Sequence, residues 1–291
     1  MSFSIDRRSG LSRSEFVAGY ASKSLPVILT DATAHWPARK KWSFDYFASR
    51  FFDKTVFFNG RHWKIGAFIE ELRAGPVNGY SHYLNMVKLD EQFPELWEDV
   101  GSLAVARHNR LKSRLLPPMM RIPKGIVAVF VGTKGSGFRL LHWDSTKLNV
   151  FVSQIVGDKH FVVFRPEDTP YLYPKDHIYD SNHSTLPDPF HVDLERFPEF
   201  AKAKPIYVTV KEGETLFLPG GWWHATSIDG PNIAIAESDL DAFNWRERND
   251  WYQDKYKRPE NSMLKRYVFR HLVTGYLMCA DLFLRARERL L

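Results

Sequence analysis

A mainly β domain with flanking helices is the fold class that this 291-residue sequence predicts. Three observations carry that reading. Short apolar runs recur at residues 126–133, 150–156, 160–164, 206–210, 215–218 and 233–236, each about the length of a strand. Gly157-Asp158 is a tight-turn signal between two of them, so residues 138–165 read as one antiparallel hairpin around which the chain is organised. Helical signals are confined to the first hundred residues and the tail.

Taken in order, residues 11–20 read as a short helix, with Ser12 or Ser14 capping ahead of Phe16. Residues 26–30 form an apolar strand. Ser43 caps a helix that ends near Phe51 and buries Phe44, Tyr46 and Phe47. Residues 57–63 make a hairpin about Asn59-Gly60. Residues 65–74 form a helix stopped by Gly75-Pro76. A strand at 80–87 carries Tyr83, a short helix spans 93–101, and 112–123 is an irregular, proline-rich link.

The 126–133 strand is buried and leads into the central hairpin. Residues 165–205 form a long loop with several prolines and aromatics, and loops of that length in a compact domain are usually functional. It is expected to wall or cover an active site. Its His177, His183 and His191 are expected on the surface or against substrate. The turn Lys211-Glu-Gly-Glu214 separates two further strands. In the tail, 261–291, Leu264, Tyr267, Val268, Leu272, Tyr276, Leu277, Leu282 and Phe283 recur at near-helical spacing. Arg285, Arg287 and Arg289 complement the dipole at its end. So apolar a helix needs a partner: in rank order a second chain, its own barrel, or a membrane surface.

A composition of 44% hydrophobic and 25% charged residues suits one large domain, or a domain with an appendage, divided here as 1–245 and 246–291. Cys279 is the one cysteine, which excludes a disulfide framework and a zinc cluster and fits a reducing, cytoplasmic setting. The N-terminus lacks the apolar core of a signal peptide, and no uncharged run reaches the ~18 residues of a membrane span. A net charge of +6 is read as that of a mildly basic enzyme, in preference to a mark of an RNA or acidic-peptide partner, because the basic residues are scattered.

The chemistry starts at His142 and Asp144. Two residues apart on a strand, they point to one face. One imidazole and one carboxylate are two thirds of the facial site that holds non-haem Fe(II). The third ligand should be a distant histidine, and His224, in Leu-Pro-Gly-Gly-Trp-Trp-His after the apolar run 215–218, is the best candidate. Leu140 and Leu141 precede the pair, and a carboxylate at the end of an apolar stretch needs a cation or hydrogen bonds. Lys159 follows the Gly157-Asp158 turn on a half-buried strand, where an ammonium is costly unless it meets an anion.

From about Leu25 to Trp245 the chain resembles the JmjC/cupin-like Fe(II) and 2-oxoglutarate dependent oxygenases. The residues that carry the resemblance are Leu25-Pro-Val-Ile-Leu-Thr-Asp-Ala-Thr-Ala-His-Trp-Pro, Asp193-Leu-Glu-Arg-Phe-Pro-Glu-Phe and, most specifically, Pro219-Gly-Gly-Trp-Trp-His224. The resemblance implies a double-stranded β-helix, or jelly roll, with flanking and C-terminal helices. It implies iron on His142, Asp144 and His224, with 2-oxoglutarate and O2 as cosubstrates. Lys159 and Tyr83 would then pair with the distal carboxylate of 2-oxoglutarate, although Tyr83 reads equally well as a core aromatic. Asn149 falls near a family asparagine that lines the cosubstrate, and Thr146 competes with it as a hydroxyl donor. The chain departs from the family pattern at Arg139, where many members have Thr, and at Ser238, where relatives often have Asn.

The function so implied is hydroxylation of a C–H bond in a protein, peptide or natural product, with succinate and CO2 released. Two alternatives stand beside it: a metal-dependent cupin enzyme that does not use 2-oxoglutarate, and a non-catalytic cupin binding protein. Trp143, Trp222 and Trp223 are expected either to shield the site or to pack in the core. A homodimer through the C-terminal helices completes the expectation.

Overall fold

The computed structural model describes residues 4–106, 109–176, 181–256 and 261–289. Its larger sheet runs in the order β1 (Asp6–Arg8), β2 (Val27–Leu29), β10 (Thr215–Leu218), β7 (Asn149–Val156), β12 (Asn232–Asp239), β6 (Ile126–Gly132), β5 (Leu84–Lys88). The smaller sheet is β11 (Trp223–Ser227), β8 (Lys159–Phe164), β9 (Ile206–Val210). β3 (Thr55–Phe58) and β4 (Arg61–Lys64) form a separate hairpin about Asn59-Gly60. Pairing is antiparallel except between β1 and β2.

The central hairpin expected at 138–165 is not a hairpin. β7 pairs with β10 and β12, whereas β8 pairs with β11 and β9. At Gly157-Asp158 the chain therefore leaves one sheet and enters the other. Gly157 sits at φ +67°, and a Cβ there would lie 2.1 Å from the Pro231 carbonyl oxygen, so only glycine fits this corner. The Asn232 amide fixes the corner by donating to Gln154 Oε1 and to the Asp158 carbonyl. The turn at 211–214 crosses between β9 and β10 in the same way. Strands that alternate between two facing sheets are the double-stranded β-helix that the resemblance implies.

β7 is buried on both faces, and its residues divide accordingly. Phe151 and Ile155 point outward, into a cluster with Phe16, Phe47, Phe51, Phe68 and Phe93. Those aromatics come from the helical layer: α1 (Arg13–Gly19), α2 (Ala38–Lys41), α3 (Phe44–Arg50), α4 (Ile65–Ala74) and α5 (Leu89–Gln92). α1 begins in a capping box of Ser12 and Glu15, Ser43 caps α3, and α4 ends at Gly75 with φ +86°. Val150 and Val152 point the other way, toward Phe161, Val163, Leu216 and Leu218 inside the barrel.

Three expected elements shift. Tyr83 lies just before its strand, which starts at Leu84. The helix expected at 93–101 is a 3₁₀ turn, Pro94–Asp99, behind α5. The 165–205 loop contains 3₁₀ turns at Pro166–Tyr171 and Pro198–Lys202.

The tail forms α6 (Trp245–Tyr256), α7 (Met263–Tyr267), a π-helical turn (Val268–Val273) and α8 (Thr274–Arg289). Leu277, Ala280 and Leu284 pack on Leu111, Leu148, Leu240 and Trp245, and Asp281 takes an ion pair from the buried Arg110. One face of the tail thus packs on its own barrel. The other leaves Leu264, Tyr267, Leu272, Tyr276, Leu282 and Phe283 exposed. Among the described residues no helix is long and apolar enough to cross a membrane.

Candidate active site

A cleft of about 70 Å³ runs down the barrel between the two sheets. Its lining follows the two-residue period of strands. Ile126, Ala128 and Phe130 come from β6, Val150 and Val152 from β7, Lys159 and Phe161 from β8, His224 and Thr226 from β11, and Ala236 and Ser238 from β12. Tyr83, Met86, Phe138, His142 and Asp144 complete it.

His142 is not on a regular strand. It forms single bridges with His224 on one side and His183 on the other. His142 and His224 exchange both backbone hydrogen bonds, at 3.1 and 2.7 Å. Asp144 lies outside any strand, as the residue ahead of a 3₁₀ turn, Ser145–Lys147. Both side chains nevertheless face the cleft with His224. One donor atom from each of the three lies within 4.8 Å of the other two. His224 Nε2 is 3.9 Å from Asp144 Oδ2.

Each imidazole is oriented by the carbonyl two residues before it. His142 Nδ1 lies 2.8 Å from Leu140 O, and His224 Nδ1 lies 3.2 Å from Trp222 O. A carbonyl only accepts, so Nδ1 carries the proton and Nε2 presents its lone pair to the cleft. Burial pushes His142 down to about 3, reinforced by His224, and His224 down to about 4. Both rings are therefore neutral near pH 7, as metal ligation requires. Burial raises the Asp144 carboxyl, with His142 opposing. Two neutral imidazoles and one carboxylate converging on one point are a donor set that suits a divalent ion, Fe(II) above others.

Lys159 occupies the closed end. It is 2% exposed, and its Nζ donates to the Tyr83 hydroxyl at 3.1 Å. The ring of Phe130 lies 5.3 Å away. No carboxylate pairs with it among the described residues, and burial lowers its pKa to about 7. Burial also raises the Tyr83 hydroxyl, which keeps its proton. A buried ammonium beside a neutral phenol, both facing open space, is a socket for an anion.

Other expected residues fall elsewhere. Ser238 lines the cleft, near its open end. Asn149 and Thr146 do not line it. Asn149 instead accepts from Gly220 N at 3.0 Å and donates to Asp241 Oδ2 at 3.1 Å, tying the segments that carry Asp144 and His224 together. Thr146 sits in the 3₁₀ turn at φ +61°. Arg139 pairs with Asp188 at 3.5 Å.

The three tryptophans do not wall the cleft. Trp222 donates to Ser24 O, Trp223 to Thr169 Oγ1, and Trp143 lies under Lys147 Nζ at 3.9 Å. His177 lies outside the described residues. His191 is exposed, whereas His183 is bridged to His142, the two rings 6.1 Å apart. Phe130, Phe138, Met86 and Thr226 were not anticipated. Thr226 and Phe130 were findable, because alternation from His224 and along 126–130 points them inward; Phe138 and Met86 carry no such signal.

Residues 13–250 match the cupin-like domain family. Among curated proteins, the chain is 32% identical to human HSPB1-associated protein 1 over 56% of this chain and 32% of that one. It is 29% identical to lysine-specific demethylase 8 of Xenopus tropicalis, over 70% of this chain and 46% of that one. With lysine-specific demethylase JMJ30 of Arabidopsis thaliana it shares 26% identity, over 76% and 51%. The chain spans about a third to a half of the length of these relatives.

Proposed function

The chain belongs to the cupin-like, JmjC-type family of Fe(II) and 2-oxoglutarate dependent oxygenases, and from that premise we propose that it hydroxylates a C–H bond of a protein, peptide or natural-product substrate, yielding succinate and CO2. The observation that carries this reading is the pairing of a three-donor metal site with a buried, carboxylate-free lysine in one cleft. Iron bound there supplies the activation of O2, with 2-oxoglutarate as the source of electrons.

The chain's own residues have separate tasks. His142, Asp144 and His224 hold the metal, and the two Nδ1 hydrogen bonds fix the rings that do so. Asp144 offsets part of the ion's charge. Lys159 and Tyr83 receive the distal carboxylate of the dicarboxylate by charge-assisted hydrogen bonds. Phe130, Val150, Val152 and Phe161 exclude water between the two ends. A cupin enzyme that does not use 2-oxoglutarate would have no need of Lys159, and a binding protein on the same barrel no need of all three donors. Two of the relatives are named as lysine-specific demethylases, which favours a protein among the substrate classes.

Protein purified under nitrogen should retain 2-oxoglutarate beside iron in native mass spectrometry, and should release succinate when given O2. Iron retained without 2-oxoglutarate, and no succinate, would leave the other cupin chemistry standing. We also place the protein in a reducing compartment such as the cytoplasm, where the exposed thiol of Cys279 stays free. We further propose a homodimer through the outward face of the tail. Leu272 and Tyr276, 62% and 48% exposed, are then its contacts, and charged residues there should give a monomer in light scattering. A wild-type monomer at all concentrations would remove the dimer.

A further inference from the structure

Between Asp99 and Asp144 the sequence has no acidic residue, yet it carries eight lysines and arginines. The middle of this stretch, residues 109–125, borders the open end of the cleft. Asn109 donates to Ser238 O at 2.7 Å, and Arg110 N donates to Leu240 O. The segment then runs straight into Ile126, which pairs with Ser238, and both residues line the cleft. That end is the mouth: Ile126 and Ser238 are half-buried and Met86 is 54% exposed, whereas Lys159, Tyr83 and Phe130 at the other end are buried.

Not every cation here is free to meet a ligand. Arg110 is buried on Asp281, and Lys112 lies 3.6 Å from Glu237. Arg114 and Lys124 are exposed and Arg121 is half-buried, and among the described residues none of the three pairs with a carboxylate. Cations left unpaired on one lip of a cleft attract an anionic partner.

We propose that residues 109–125 form a cationic lip that engages acidic residues of a polypeptide substrate, next to the residue that enters the cleft. This rests on the oxygenase reading above and names its substrate class. From Glu98 to Val129 there is no phenylalanine, tyrosine or tryptophan, so the lip offers no aromatic platform for unpaired nucleobases. Between its cations lie Leu115, Pro117, Pro118, Ile122 and Pro123, all at least partly exposed. Alternating apolar and cationic groups suit the side chains of an extended acidic peptide.

The test uses the full chain loaded with Mn(II) and 2-oxoglutarate under nitrogen. Fluorescence anisotropy compares a glutamate-rich peptide, its glutamine and lysine counterparts, and a single-stranded RNA of equal charge. The glutamate peptide should bind about tenfold tighter than the glutamine one, from a few exposed ion pairs acting together. The advantage should shrink with added salt. Arg114→Glu with Arg121→Glu and Lys124→Glu should abolish or invert it, and Lys124→Glu alone, in case the triple variant misfolds, should reduce it by about threefold. Equal binding of glutamate and glutamine peptides, or a preference that survives Lys124→Glu and the triple variant alike, would overturn the lip. Tighter binding of the RNA would overturn it in favour of a nucleic-acid substrate. Succinate release, measured separately, reports on the oxygenase reading alone.

Discussion

The two ends of the cleft are built on different principles. At the closed end, Lys159 sits in regular register opposite Val210, and ordinary strand geometry fixes its direction. At the metal end, His142 makes isolated bridges, Asp144 precedes a turn, and Thr146 and Lys147 are both left-handed, at φ +61° and +56°. Each such residue costs about 1–3 kcal/mol, which the surroundings must offset. They do so with side chains. Asn149 holds Gly220 N, Asn244 holds the Lys147 carbonyl, and a Cβ on Gly220 would lie 2.3 Å from that carbonyl oxygen. The proposed anion socket is thus a property of the sheet, and the proposed metal site a property of a clasp between two segments.

The largest effect that can break this contrast is loss of a metal ligand. Asp144→Ala should abolish iron binding, read as metal stoichiometry on folded protein, while the Lys159 end keeps its structure. Unchanged stoichiometry would remove Asp144 from the site. Next, Lys159→Ala should raise the KM for 2-oxoglutarate by roughly 10- to 150-fold, the value of a charged hydrogen bond of about 1.5–3 kcal/mol, without changing iron content. A coupled loss of iron would show that the two ends are not separate.

The pH response sharpens the same point. Burial holds the Lys159 ammonium at about 7 against an ordinary 10.5, and a bound carboxylate favours the charged form. Affinity for 2-oxoglutarate should be full below pH 7 and fall by up to about tenfold per unit above it, measured by calorimetry on Mn(II) protein. Without ligand the sign reverses. The unfolded chain holds this proton from pH 7 to 10.5 and the folded one does not, so Lys159's contribution to stability rises with pH across that window. A flat affinity profile would place the anion elsewhere.

Smaller effects test the clasp and the phenol. Asn149→Ala should weaken iron by about tenfold and leave the pH profile of 2-oxoglutarate binding in place. Tyr83→Phe removes one hydrogen bond to the carboxylate, about 1.5 kcal/mol, and leaves the Lys159 ammonium in place, so the KM should rise by roughly 10-fold with iron unaltered. If Asn149→Ala moved the KM as far as Lys159→Ala does, the clasp would serve the whole cleft and the contrast would fail.

Much of this was legible from local chemistry. The capping Ser43, the Asn59-Gly60 turn and the Gly75 stop are decided by a few neighbouring residues, and the structure has them where the sequence points. Gly157-Asp158 misleads because a tight turn looks the same whether its strands pair or part. Only distant residues, Pro231 and Asn232 at the corner, decide that they part. Asn149 was expected to face the cleft. It does not, because Val150 and Val152 take the inward positions of β7 and alternation sends Asn149 outward. The place of His183 beside His142 was illegible, since it depends on a long loop folding back across the barrel.

The alternation of strands between sheets also governs how the chain can acquire its shape. β2 is bounded by β1 and β10, and just beyond it Thr33 donates to Gly213 O, 180 residues further on. During synthesis the first two strands and their helices emerge long before the strand that seals them. Folding must then wait for a late, entropically costly closure, and is slow for the chain's length. Chains that stop short of Thr215 would leave β2 with an unpaired edge, open to other unfinished chains.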